Sequence, residues 1–246
     1  RGMTATVTAE GVYLNWRLFA DEVAGFSKTG LMGVDFNVYR DNAKIATVTD
    51  STNYLDKDTK SLDGVSYKLV PVKNGAEAAA EACTDYTVFQ AGTDAAFKDI
   101  KLKKPLDTTI EEVYGVKTED IKLLNSATDG YTTTKITYIA SDMSVGDVDG
   151  DGEYEYFVKW DPSLSKDVSQ QGYTGKTYID CYKLDGTLLW RLDLGLNIRS
   201  GAHYTEFGVY DYDKDGKAEM MVKTAPGSKM ITYNEDGSVK SEKYVT

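Results

Sequence analysis

The residues with the clearest chemical potential are acids at alternate positions. In "SVGDVDGDGEYEYFVKW" (144–160), Asp147, Asp149, Asp151, Glu153 and Glu155 occupy every second place, five like charges within nine residues. Such a run repels itself unless a counterion sits among the carboxylates. In "FGVYDYDKDGKAEMMVKT" (207–224), Asp211, Asp213, Asp215, Gly216 and Glu219 repeat Asp147, Asp149, Asp151, Gly152 and Glu155 at a constant offset of 64. Alternating carboxylates in a tight turn aim at one point, and the glycine permits the bend. The donors are oxygens only, which suits Ca²⁺, a hard cation that takes about six to eight of them. An EF-hand closes its shell with a glutamate at the twelfth position, but here those places hold Val158 and Val222. Glu155 and Glu219, at the ninth, close it from a following strand, which describes a shorter, β-type calcium loop. Lys217 stands where the first loop has Glu153, so the second loop is expected to offer that residue's backbone carbonyl. Asp142, aligned with Glu206, lies five residues ahead of the first loop and is placed to serve the same ion or one beside it. The competing reading is a pair of solvated acidic turns without metal, and the recurrence of the spacing weighs against it.

Beyond these loops the sequence offers little catalytic equipment. His203, in "RSGAHYTEF", is the only histidine, and it stands beside Arg199 and Tyr204 in a polar, glycine-containing stretch just before the second loop. Both a structural and a site role stay open for it. No G-x-S-x-G, H-E-x-x-H, P-loop or dinucleotide fingerprint occurs. No catalytic base is assigned.

The elements that must position these residues read as strands. Residues 1–88 carry short β-branched and aromatic runs, "GVYLNWRL", "VDFNVYR", "KIATV", "SYKLVPV" and "DYTVFQ", separated by turn signals such as "RDNAK" and "KNGAE". Six or seven such runs with Trp16 on an early one describe a small antiparallel sandwich. Residues 89–134 read as a connecting segment, with a strand over "AFKDIKLKKPLD" and a short helix near Ile110, Val113 and Val116. From 135 to 246 the chain repeats: strand, acidic loop, strand, strand, D-G turn, strand. That order describes successive blades of a β-propeller, with "DPSLSKDVSQQGYTG" (161–175) inserted in the first. Fewer than two such units are present, whereas propellers close with about four to eight. The pattern therefore implies partner strands elsewhere, or a longer protein of which this is the opening part.

A net charge of −11 argues against nucleic acid and anionic membrane surfaces as partners. Nine of the 39 acids sit in the two loops, so much of that charge is local. No apolar run is long enough to span a bilayer. Cys83 and Cys181 allow one disulfide but do not require it. The start "RGMTATV" has no signal peptide, which is consistent with a processed, secreted protein.

The blocks "GVYLNWRL", "FNVYRDNAKI", "STNYLD", "GDVDGDGEYEYFVKWDPS", "GYTGKTYIDCYKLDGTLLWRLDLGLNIRSGAHYTEF" and "YDYDKDGKAEMMVKT" resemble, in order, the bacterial rhamnogalacturonan lyases of polysaccharide lyase family 11. The resemblance implies an all-β chain: a fibronectin-type-III-like sandwich followed by the first blades of a propeller that is eight-bladed in the full-length family. It implies a secreted enzyme that cleaves rhamnose–galacturonate bonds of pectic rhamnogalacturonan I by β-elimination, with Ca²⁺ bound and the remaining blades as its structural partners. By motif it makes Asp142, Asp147, Asp149, Asp151, Glu153 and Glu155 calcium ligands of the first blade. It places Ser141, where the family has Asn, and Asp161 of "KWDP" against substrate, with Arg199, His203 and Tyr204 near the substrate funnel. Leu164 and Val168 stand where the family pattern has Asn, and neither can ligate metal or hydrogen-bond a sugar. That departure leaves an alternative, a non-catalytic calcium-stabilised module that binds pectin or a cell surface. A calcium-stabilised adhesion or scaffold domain is a further one.

Overall fold

A computed structural model describes residues 1–28, 30–89, 95–117, 135–170, 172–201 and 204–245. Within them the chain is all-β apart from one short α-helix and two 3-10 turns. It divides into two compact units, Arg1–Asp99 and Ile100–Thr246.

The first unit holds β1 (Met3–Thr8), β2 (Gly11–Asn15), β3 (Val23–Ser27), β4 (Gly30–Gly33), β5 (Asp35–Arg40), β6 (Ala43–Val48), β7 (Asn53–Asp56), β8 (Tyr67–Lys73), β9 (Ala76–Glu77) and β10 (Tyr86–Val88). Two four-stranded sheets form, in the orders β10-β1-β2-β7 and β6-β5-β8-β9, with β3 and β4 as a separate hairpin. Alternation along each strand sends Met3, Ala5, Val12, Leu14, Phe36, Val38 and Leu69 into one core shared by the two sheets. Trp16, just past β2, packs edge-on against Phe36 with ring centroids 5.5 Å apart. The "DN" of "RDNAK" turns β5 into β6 with positive φ at Asp41 and Asn42 (48° and 68°), the conformation a tight hairpin needs. One pairing departs from an all-antiparallel expectation, because β10 returns beside β1 in parallel. Two buried carboxylates are fully engaged. Asp56 accepts from Arg40 at 2.7 and 2.8 Å and from the Tyr67 hydroxyl at 2.8 Å. Glu22 accepts from Arg1 at 2.6 and 2.7 Å.

In the second unit, β11 (Thr108–Thr109) leads into α1 (Ile110–Tyr114). Thr109 and Glu112 cap the helix reciprocally, and it stops at Gly115 with φ 68°. No strand forms over the described part of "AFKDIKLKKPLD", and residues 118–134 lie outside the described residues. After β12 (Lys135–Ile136) come β13 (Tyr138–Gly146), β14 (Glu155–Pro162), β15 (Tyr178–Tyr182) and β16 (Leu188–Asp193), an antiparallel meander. Its two faces are both covered. Tyr138, Val158, Trp160, Tyr182 and Leu188 pack with Ile110, Ile136 and Leu164 on one side. Ile179, Leu192, Leu194 and Ile198 form a second cluster. Across the meander Asp180, fully buried, accepts from Arg191 Nε and an Arg191 terminal nitrogen at 2.7 Å each, from Trp160 Nε1 at 2.7 Å and from the Tyr182 hydroxyl at 2.6 Å. A carboxylate held by four donors on three strands fixes their register, since a slip of one residue would strand the charge.

The second sequence repeat folds differently from the first. Its opening strands, β17 (Phe207–Tyr210) and β18 (Glu219–Val222), pair as an isolated hairpin. Its closing strands, β19 (Lys229–Tyr233) and β20 (Val239–Tyr244), instead extend the meander into a six-stranded sheet through β16–β19 pairing. The reason is the open edge of β16, a row of N–H and C=O groups that takes up an available strand. Both cysteines are free thiols, and burial pushes that of Cys181 up to about 12. Among the described residues no helix is long and apolar enough to cross a membrane.

Candidate metal centres and the adjoining strand edge

Each acidic loop joins the two strands of a hairpin, β13 to β14 and β17 to β18. Five hydrogen bonds of the first loop recur in the second at the same offset. Asp151 N–H donates to Asp147 Oδ1 at 3.2 Å and to Asp149 Oδ1 at 3.3 Å; Asp215 N–H donates to Asp211 and Asp213 at 3.1 Å each. Gly152 and Gly216 N–H reach Asp147 and Asp211 at 2.9 and 3.0 Å. Glu153 and Lys217 N–H reach Asp151 and Asp215 at 2.8 and 2.9 Å. Val148 and Tyr212 N–H reach Glu155 and Glu219 at 2.9 Å each. Gly152 and Gly216 adopt φ of 89° and 92°, the bend their placement anticipated.

The turns gather carboxylates. One oxygen from each of Asp211, Asp213, Asp215 and Glu219 lies within 4.8 Å of the others, and so do oxygens of Asp147, Asp149 and Asp151. These clusters can hold a metal ion, and their all-oxygen character fits a hard cation rather than zinc or copper. Their electrostatics carry the same message. The N–H groups of Gly152, Gly150 and Asp151 hold the Asp147 carboxyl below its ordinary range. Glu155 is raised, first by burial and then by the negative charges of Asp149 and Asp151, a strain that a cation would reverse. The first cluster includes neither Glu153, which is exposed, nor Glu155, whereas the second includes Glu219, the counterpart of Glu155.

The two loops lie side by side. Ala218 N–H donates to the Asp147 carbonyl at 2.6 Å. A cleft of about 500 Å³ is lined by Val145, Asp147, Tyr154, Tyr210, Asp211 and Lys217, among others. Gly146 makes the approach possible: a Cβ there would stand 2.6 Å from the Ala218 Cβ and 2.7 Å from Val209 Cγ1.

The remaining expected site residues fall into two places. At the first, Ala140 pairs with Trp160 and Met143 with Val158, so Ser141 and Asp142 together oppose the single residue Lys159. This is a β-bulge, a device that re-aims side chains. Asp142 lies outside the Asp147 cluster and pairs with the Lys159 ammonium. Asp161, two residues along the same strand, has its Oδ1 buried without a hydrogen-bond donor and 3.7 Å from that ammonium. Ser141, Asp142, Lys159 and Asp161 are thus one constellation. At the second place Arg199, Tyr204, Thr205, Glu206 and Lys223 line a cleft of about 410 Å³. Arg199 donates to the Gln170 carbonyl, and the Tyr204 hydroxyl donates to the Lys166 carbonyl at 3.0 Å. Thr205 holds φ at 75°, rare for a β-branched residue. His203 lies outside the described residues. Of the two positions with apolar departures, Leu164 is fully buried in the core and Val168 is exposed.

Lys159 is the residue that sequence reasoning passed over. Its signal was present, a lysine between Trp160 and Val158 in a run otherwise apolar, where a charge needs a partner.

Residues 119–243, just over half of the chain, match the profile of the rhamnogalacturonan lyase family 11 C-terminal domain. Residues 1–88 match that of the rhamnogalacturonan I lyase beta-sheet domain. The chain is 44% identical to rhamnogalacturonan endolyase YesW of Bacillus subtilis (strain 168), over 98% of its own length and 33% of that protein. It is 42% identical to rhamnogalacturonan exolyase YesX of the same organism, over 93% of its length and 32% of that protein. The solved Bacillus licheniformis rhamnogalacturonan lyase PL11 is 41% identical, with a TM-score of 0.50, covering 97% of this chain and 34% of that one. The chain thus spans about a third of the curated relatives it matches.

Proposed function

The chain belongs to rhamnogalacturonan lyase family 11, and on that premise we propose that it supplies the calcium-binding loops and part of the substrate surface of an enzyme that cleaves rhamnogalacturonan I by β-elimination. The observation that carries this reading is the pair of acidic loops whose hydrogen bonds repeat at an offset of 64, in a chain whose relatives are named rhamnogalacturonan lyases. Residues 1–88 are read as a fibronectin-type-III-like sandwich, 89–134 as the connection and 135–246 as opening blades of a propeller. Support comes from the two sheets around one core in the first unit and from the meander β13–β16 in the second. Bound at Asp147, Asp149, Asp151 and Glu155, and at Asp211, Asp213, Asp215, Glu219 and the Lys217 carbonyl, Ca²⁺ would neutralise the loops and fix their turns.

In the reaction a base removes the proton from C5 of a galacturonate. The electron pair left at C5 forms the C4=C5 double bond as the bond from C4 to the glycosidic oxygen breaks, and that oxygen leaves with a proton on the rhamnose side. Asp161 and Ser141 accept and donate hydrogen bonds to sugar hydroxyls, while Arg199, Tyr204 and His203 face the anionic polymer. Secretion follows from the substrate, and a net charge of −11 disfavours nucleic acid or an anionic membrane as partner.

The test is ultraviolet absorbance of the unsaturated uronate released from rhamnogalacturonan I by the protein carrying this chain, with calcium and then with EDTA. Calcium-dependent product is the expected outcome. A second reading, a non-catalytic pectin-binding module, is favoured by Leu164 and Val168, one committed to the core and the other apolar at the surface. Polymer binding without product would select it, and neither binding nor product would remove both.

A further inference from the structure

Lys159 lies in the interior of the β-sheet, its side chain only 3% exposed, yet its terminal nitrogen sits between two acids. Period-2 alternation on β14 puts Lys159 on the same face as Phe157 and Asp161, opposite the face of Val158 and Trp160 that packs into the core with Leu164. Its stem is therefore buried, and its ammonium meets Asp142 on β13. There the bulge sets two residues, Ser141 and Asp142, opposite it. Without the ammonium, Asp142 and Asp161 would be like charges converging on one spot, facing a polymer that is itself anionic.

Asp161 is the more instructive partner. Its Oδ1 is buried and receives no hydrogen bond, so the ammonium 3.7 Å away compensates the charge of that oxygen. What exposure the side chain has, 15%, belongs to its remaining atoms. A carboxylate with one oxygen buried beside a cation has the other left to meet an incoming hydroxyl. The pairing also has a counterpart in the repeat: at the offset of 64, Asp142 and Lys159 become Glu206 and Lys223, which line one cleft with Arg199 and Tyr204. An acid and a lysine recur in both sequence repeats at the places read as substrate-facing.

We propose that Lys159 is the positioning residue of the substrate site: it acts through Asp161, balancing the charge of that carboxylate so that it accepts a hydrogen bond from a neutral sugar hydroxyl. This rests on the reading that Ser141 and Asp161 contact the polysaccharide. Lys159 touches no substrate itself, being buried.

The experiment is calorimetric titration of rhamnogalacturonan I oligosaccharides into the calcium-loaded chain. Wild type is compared with Lys159→Met, Lys159→Arg, Asp161→Asn and the Lys159→Met/Asp161→Asn double variant, with melting temperature recorded for each. Lys159→Gln, which keeps a polar end, substitutes if the methionine variant does not fold. The expected result is a loss of affinity of about tenfold or more for Lys159→Met, the loss of one charge-assisted contact, with partial recovery in Lys159→Arg. In the Asp161→Asn background, Lys159→Met should cost nothing further. Folded variants that bind like wild type, or an equal additional loss in the Asp161→Asn background, would overturn the inference alone. A folded wild-type chain that binds no oligosaccharide would overturn the substrate-contact reading and the inference with it.

Discussion

Two residues show how single side chains carry the fold. Glu22 is buried against Arg1, and its carboxyl sits below the usual range. Burial pushes it up, but the guanidinium and the Phe19 N–H outweigh that. A depressed folded pKa contributes stability above the unfolded value of about 4.3, and that contribution is lost as pH falls through the folded value. Glu22→Gln should therefore melt several degrees below wild type at neutral pH, with the gap closing below about pH 4; a gap independent of pH in thermal melts would refute the assignment. Gly216 tests the acidic turn. A Cβ there would meet nothing within 4 Å, so any cost comes from its φ of 92° alone. Gly216→Ala should destabilise by about 1–2 kcal/mol in urea titration and weaken calcium binding, because the turn that gathers Asp211, Asp213 and Asp215 opens.

At the level of strands, the Asp180 network holds β14, β15 and β16 together. Asp180→Asn leaves Arg191 without its countercharge and should cost about 3–5 kcal/mol, read as a fall in the midpoint of chemical unfolding; a loss within experimental error would mean that water or the Lys103 carbonyl, which already accepts from Arg191 at 2.6 Å, takes over. These strands were legible in the sequence as β-rich runs within the repeat, and the helix from the spacing of Ile110, Val113 and Val116, whereas its cap of Thr109 with Glu112 and its stop at Gly115 were not read. The acidic loops were the most legible feature, since their hydrogen bonds are local and each depends on residues within eight positions of one another. What escaped was long-range. Pairing of β19 with β16 depends on which sheet edge is open, a property no local pattern encodes. The bulge that opposes Ser141 and Asp142 to Lys159 is a register shift of one residue, invisible until both strands are placed. The expected strand over "AFKDIKLKKPLD" does not form, since these residues find no ladder partner.

For the molecule as a whole, the acidic loops both belong to the unit Ile100–Thr246, whereas Arg1–Asp99 has its own core and its own buried ion pairs. A ligand that binds only the folded form of one unit raises the stability of that unit by mass action. Differential scanning calorimetry should accordingly resolve two transitions, of which calcium raises one and EDTA lowers the same one, with Asp211→Asn reducing the shift. Equal movement of both would show that the units unfold as one. The hydrogen bond from Ala218 to the Asp147 carbonyl, with Gly146 keeping the two hairpins in contact, has a thermodynamic corollary. Ordering one loop pre-sets the backbone of the other, so the second ion meets a turn already formed. The two binding events are then linked reciprocally, and the protein would respond to calcium over a narrower concentration range than either loop could alone, a threshold rather than a gradual filling.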